Sequence, residues 1–179
     1  MNIPLQHAEV CRKLYHFQTE RHENVKYRLG KAAKETGAHV LLEQPVTTPG
    51  SSMSTDLTII GASAPNGTAS DCDLTFSSLT PTAINSQVKP YLPPPISRKN
   101  IEGLIQSVLD LRAMMKIEKY SEKTKYAVTA LVFSSSGTMH SAVQQWFQSL
   151  RKMGLDLSAL YKDLSVILLR SRAVSFLFH

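Results

Sequence analysis

Apolar residues recur along this chain with two different periods, and the switches between them predict the order of its elements. From Glu20 to Thr36 the spacing is helical: Val25, Leu29, Ala32 and Ala33 fall on one stripe. Gly37 then stands where a helix end favours glycine. Ala38 to Glu43 reads as a strand entering Pro45, and Thr47 to Ser54 as a loop of Thr, Pro, Gly and Ser. Asp56 to Gly61 predicts a second strand, with β-branched Thr58, Ile59 and Ile60. Pro65-Asn66-Gly67 is a turn, and Asn-Gly favours a hairpin into a third strand, Ser70 to Ser78. Three strands joined by short turns predict an antiparallel meander.

Residues 79–98 are rich in Pro, Ser and Thr and read as a long irregular connection or an insertion. Helical spacing returns from Arg98 to about Lys123, in Ile101, Leu104, Ile105, Val108, Leu111, Met114 and Met115. Ala127 to Phe133 is an apolar strand and Ser134 to Thr138 a turn of small residues. Ser141 to Lys152 predicts an amphipathic helix (Val143, Trp146, Phe147, Leu150) closed by Gly154, and Leu157 to Arg170 a final one. Trp146 and Phe147 are expected in the core. The predicted class is α/β: helix, three-strand meander, helix, strand, helix, helix.

Composition narrows the functional classes. An apolar fraction of 42% and a charged fraction of 19% over 179 residues suit one globular domain with a real core. No apolar stretch reaches membrane-spanning length, and Met1 to Glu9 does not read as a secretory signal. Cys11 and Cys72 give no disulfide framework, and Cys72 is expected to be a buried thiol. The expectation is an intracellular protein, nuclear or cytoplasmic, without a membrane partner. The net charge of +6 permits nucleic-acid binding. The polar side of the first helix carries Arg21, Lys26, Arg28, Lys31 and Lys34, either a solvated basic face or one that faces DNA. No Gly-rich phosphate loop or nucleophile elbow appears, so a small-molecule enzyme has little support and no small-molecule cofactor is expected.

Candidate chemistry follows from strand parity. Asp71, Asp73 and Thr75 share one face of the third strand, and Cys72, Leu74 and Phe76 the other. Leu57 and Ile59 suit the core while Asp56 and Thr58 face away. A hairpin through Asn66-Gly67 brings Asp56 and Asp73 together, and Glu43 at the end of the first strand stands to complete an acidic cluster. Acids at strand ends are also what turn chemistry alone produces. Carboxylates gathered this closely repel unless a cation sits among them, and hard oxygen donors suit Mg²⁺ or Mn²⁺. On the following helix Lys116, Lys119 and Tyr120 stand at i, i+3 and i+4, so one face presents two ammonium groups and a phenol. The plain alternative is an ordinary exposed lysine face.

Several segments, in order, resemble the restriction-like endonuclease domain of reverse-transcriptase-type (non-LTR) retroelements. They are His7-Ala-Glu-Val-Cys11, Arg21-His22, Ala33 to Glu43, Asp56-Leu-Thr-Ile-Ile, Asp73-Leu-Thr-Phe, Ala113 to Tyr120 and Val132 to Gly137. The resemblance covers residues 7–150. It implies a restriction-endonuclease-like fold and a metal-dependent DNA endonuclease of the PD-(D/E)XK class. On that basis Asp56 matches the first catalytic aspartate and Asp73 the second acid, with the Leu74 carbonyl as a further metal ligand and Glu43 as a supporting acid. Thr75 stands where many members carry lysine, and Lys116 or Lys119 from the next helix substitutes. Arg21, Lys26, Arg28 and Lys31 would grip the DNA backbone.

Thr55 replaces the Pro that often precedes the first Asp, and the Pro-rich stretch looks like an insertion able to displace Lys116. His7 and Cys11 resemble the last two ligands of a zinc knuckle. Two ligands cannot hold structural zinc, so they are read as non-binding. The resemblance thus divides the chain into a knuckle-like remnant (1–19), a core (20–154) and a C-terminal helix and tail (155–179), as in the end of a longer retroelement polyprotein. His22 is expected to bond or pack locally near the helix start. The competing reading is a non-catalytic nucleic-acid-binding module or an inactive retroelement remnant.

Overall fold

The computed structural model describes residues 15–48, 50–79 and 101–177. Its elements are α1 (Tyr15–Glu35), β1 (His39–Pro45), β2 (Ser54–Ile60), β3 (Ala69–Ser77), α2 (Ile101–Tyr120), β4 (Val128–Ser134), α3 (Ser141–Lys152) and α4 (Leu157–Leu177). The class and element order agree with the expectation. His7 and Cys11, and nearly all of the Pro-rich stretch, lie outside the described residues.

The strands form one sheet in the order β1-β2-β3-β4. The first three pair antiparallel, and β4 runs parallel to β3, from Asp71 opposite Val128 to Ser77 opposite Ser134. A parallel pair needs a crossover, and α2 lies within it. Strand parity then sorts the side chains. Leu57, Ile59, Cys72, Leu74, Leu131 and Phe133 bury themselves under α1, α3 and α4. Ala130 and Val132 face the other way, onto Leu109 and Ala113 of α2. Trp146 and Phe147 are buried as expected, and the indole N–H donates to the Ser63 carbonyl at 2.7 Å.

Two glycines shape α1. Gly37, at φ +88°, ends the helix, and its N–H donates to the Lys34 carbonyl at 2.9 Å. Gly30 lies mid-helix, where glycine costs about 1 kcal/mol relative to alanine. A Cβ there would stand 3.3 Å from Leu57 Cδ2, so its absence lets helix and sheet approach closely.

Helix boundaries differ from expectation. α1 begins at Tyr15 rather than Glu20, because Phe17 and Glu20 line a crevice against Ile167 and Arg170 of α4. The apolar stripe that marks the rest of the helix does not reach that far. The β2–β3 connection spans residues 61–68, with the expected turn inside it, and is closed by the Gly61 N–H donating to the Thr68 carbonyl at 2.7 Å. Asn66 organises it, accepting from the Ala69 N–H at 2.9 Å. Finally, α4 runs to Leu177 rather than Arg170; Leu157, Leu160 and Leu164 join the main core, and Arg28 Nε binds Asp163 Oδ2 at 2.7 Å. No helix among the described residues is long and apolar enough to cross a membrane.

Candidate active site where β2 and β3 part

The β2–β3 ladder runs through Thr58 opposite Asp71 to Leu57 opposite Cys72. One step further that register sets Asp56 against Asp73, and there the strands part. The Asp56 carboxylate fills the gap, and Oδ2 accepts the Leu74 backbone N–H at 2.6 Å. Asp71, one ladder step earlier, is structural: it accepts from the Thr58 hydroxyl and, at 2.9 Å, from the Tyr126 N–H.

Asp73 faces α2, and its side chain is only 6% exposed. The crossover lays α2 over this face and delivers Lys116, whose Nζ stands 2.7 Å from Asp73 Oδ2. The contact is an ion pair rather than an aligned hydrogen bond: that oxygen is buried and has no hydrogen-bond partner. One turn on, buried Tyr120 donates its hydroxyl to the Ser54 carbonyl at 3.0 Å. Burial, then the neighbouring Asp73 carboxylate, push the phenol well above its ordinary range. The Cys72 thiol is also pushed up, by burial and by Asp71, Asp56 and Asp73. It is an inert core group, as expected.

His22 approaches the same gap from α1. Its Nε2 stands 3.3 Å from Asp56 Oδ2 and 3.2 Å from the Leu74 carbonyl, while Nδ1 is 3.3 Å from Glu23 Oε1. The hydrogen bond to Asp56 outweighs burial and raises the imidazole pKa. This corrects the expectation that His22 bonds only near its own helix start. The helix begins earlier, so His22 sits inside it and faces the sheet. A signal was present: His22, Val25, Leu29 and Ala33 share one helical stripe.

The other candidates separate into those the fold brings to this gap and those it does not. Glu43 falls opposite Asp56 in the β1–β2 register, but no pair forms there. Its φ of +50° breaks the ladder and re-aims the side chain, and Oε1 binds Lys26 Nζ at 2.7 Å instead. Lys119 is exposed, its ammonium 4.9 Å from the Tyr120 ring centroid, and does not join Asp73. Thr75 is half-buried on β3.

The basic candidates of α1 are largely committed to carboxylates. Lys26 is buried between Glu23 Oε2 and Glu43 Oε1, each at 2.7 Å. Burial alone would lower its pKa, but these two carboxylates raise it. The Glu23 carboxyl is held below its usual range: burial opposes this, and Lys26 and His22 outweigh it. Arg28 is held by Asp163, and Lys31 lies 3.9 Å from Glu35. Arg21 stacks on Phe76, its Cζ 4.4 Å from the ring centroid.

Among the described residues no three His, Cys, Asp or Glu side chains converge as a metal-holding group. The donors at the gap are two carboxylates, Asp56 and Asp73, and the Leu74 carbonyl. All are hard oxygens of the kind Mg²⁺ or Mn²⁺ prefers. Asp73 Oδ2 is already met by the Lys116 ammonium at 2.7 Å, so a cation held there would share that oxygen with it. For the Leu74 carbonyl to serve as well, it must be shared with His22. Set against protein-family models and against curated proteins, the chain finds no match in either.

Proposed function

We propose that this chain is a divalent-metal-dependent DNA endonuclease with a restriction-endonuclease-like fold, related to the PD-(D/E)XK domain of reverse-transcriptase-type retroelements and acting inside the cell. The observation that carries this reading is the 2.7 Å pairing of Lys116 with Asp73, at the point where the strand register sets Asp73 against Asp56. A structural ion pair explains one lysine on one acid. It does not explain a second carboxylate opposite, at the point where the strands part. The order of helix, meander, helix and parallel strand also agrees with what the resemblance implies.

In this reading Asp56, Asp73 and the Leu74 carbonyl hold Mg²⁺ or Mn²⁺. When bound, the cation would supply a water of lowered pKa and charge neutralisation at the phosphate. The protein's own groups do the rest. Lys116, 27% exposed and anchored by Asp73, presents an ammonium to the phosphate and offsets the negative charge that develops there. It takes the place of the lysine absent at Thr75. Tyr120 stays protonated and holds β2 to α2 through Ser54. His22 fixes the Asp56 carboxylate and ties α1 to β3.

The test is plasmid nicking by the purified full chain with Mg²⁺ or Mn²⁺, beside Asp73→Ala. Nicking by the wild type alone is the expected result. Nicking by both proteins traces the activity to something else. Nicking by neither favours the second reading, a non-catalytic nucleic-acid-binding module or inactive remnant. The diversion of Glu43 to Lys26 and the hold of His22 on the Leu74 carbonyl support that reading.

A further inference from the structure

Along the sheet-facing side of α2, Ile105, Leu109, Arg112, Lys116 and Tyr120 fall on one helical stripe. Leu109 and Tyr120 are buried, Ile105 packs on the second core, and Arg112 and Lys116 are half-buried between them. Two cations therefore stand one turn apart, about 6 Å between their Cβ atoms, on the face that meets Asp73. Lys116 takes the Asp73 oxygen. Arg112 has no hydrogen bond and no ion pair among the described residues. Its helical neighbours one turn away are Val108, Leu109, Met115 and Lys116, and none is acidic. The nearest acid in sequence, Asp110, is engaged by His140 Nε2 at 3.0 Å and by Gln106 Nε2 at 2.7 Å.

A guanidinium stays charged in a protein, and here its surroundings oppose the charge. Burial lowers its pKa. Like charges at i and i+4 also repel. Two cations on this stripe thus share one carboxylate, Asp73, while Asp56 opposite is held by His22. An oxyanion is the partner that such a surplus lacks. The planar guanidinium fork suits phosphate, which it meets with two parallel N–H donors. We propose that Arg112 binds the backbone phosphate adjoining the one met by Lys116, so that successive phosphates of one DNA strand lie along this turn of α2. The proposal rests on the proposed function for its ligand, but the unpaired guanidinium does not depend on it.

The experiment measures binding of a labelled short duplex to the full chain by fluorescence anisotropy across a salt series, without divalent metal. Arg112→Met keeps the apolar stem and removes the charge. Arg151→Met removes the same charge from an exposed position on α3. The expected result for Arg112→Met is a several-fold weaker Kd and a slope of log K against log salt shallower by about 1. Its melting temperature should equal or exceed that of wild type, because a half-buried unpaired charge is gone. Arg112→Lys should restore the slope and part of the affinity. Arg151→Met should bind as wild type does. Equal losses in Arg112→Met and Arg151→Met mean net charge alone and overturn the site. A lowered melting temperature with an unchanged Kd means that Arg112 only packs, and overturns it too.

Inorganic phosphate, followed by the Arg112 Nε–H resonance, separates a free-anion site from a strand site. A saturable shift with phosphate but none with duplex overturns the nucleic-acid assignment. Should wild type fail to nick plasmid while Arg112→Met still weakens duplex binding selectively, the nuclease reading falls and this site stands. Nicking by wild type with unaltered duplex binding by Arg112→Met has the opposite meaning: the nuclease reading stands and this site falls.

Discussion

Two acid–base clusters in this molecule use the same chemistry in opposite senses. At Asp73–Lys116 the carboxylate is shut in, its side chain 6% exposed, and the ammonium is the accessible partner at 27%. At Lys26 the ammonium is shut in at 4%, and the accessible partners are Glu23 and Glu43, at 50% and 64%. The first cluster therefore presents positive charge beside two carboxylates. The second presents negative charge and removes a cation from the basic total. Both clusters contain lysines that count equally in the net charge of +6, yet only one is placed to meet a phosphate.

The largest effect expected from breaking this contrast is on turnover. Lys116→Met should lower the nicking rate by about 10²–10³-fold, the scale of losing one preorganised charge stabiliser. Lys119→Ala, three residues on and outside the cluster, should stay within a few-fold in the same assay. Equal losses would show that the Asp73 pairing does not select between the two lysines.

The next effect is on stability. Lys26→Glu places a third carboxylate in a buried position between two others and should cost about 3 kcal/mol, read by urea unfolding. Lys26→Met keeps the volume and leaves both glutamates in water, so it should fall within about 1 kcal/mol of wild type and leave duplex affinity unchanged. A Met variant that lost duplex affinity would mean that Lys26 reaches nucleic acid after all.

The smallest effect is a pH dependence. The folded pKa of His22 is raised above the unfolded value of 6.5, chiefly by Asp56. Its contribution to stability is therefore fully present below pH 6.5 and lost as pH rises through the folded value. The melting-temperature difference between wild type and His22→Gln should be larger at pH 5.5 than at pH 8.5. Glu23 works in the opposite sense. Its lowered pKa contributes stability above 4.5 that is lost as pH falls through its folded value, so the comparison belongs above pH 5. A difference that grew toward alkaline pH would show that the His22–Asp56 contact is not an ion pair.

Periodicity made most of the architecture legible in the sequence. The stripe of Val25, Leu29, Ala32 and Ala33, the alternation through Asp71–Phe76 and the heavy apolar face of Val143, Trp146, Phe147 and Leu150 fix element type, because each period matches one backbone geometry. Parity alone placed Asp56 and Asp73 on the side away from Leu57 and Cys72, and the meander brought them opposite one another. Tertiary structure decided what no local rule encodes. It chose Lys116 over Lys119, because the crossover fixes which part of α2 lies over Asp73. It drew His22 to a carbonyl 52 residues away and turned Glu43, through a left-handed backbone, from the acids to Lys26. The physical reason is that secondary structure follows from local sterics and burial, whereas which charges meet depends on strand register and helix placement set by the packing of the whole core.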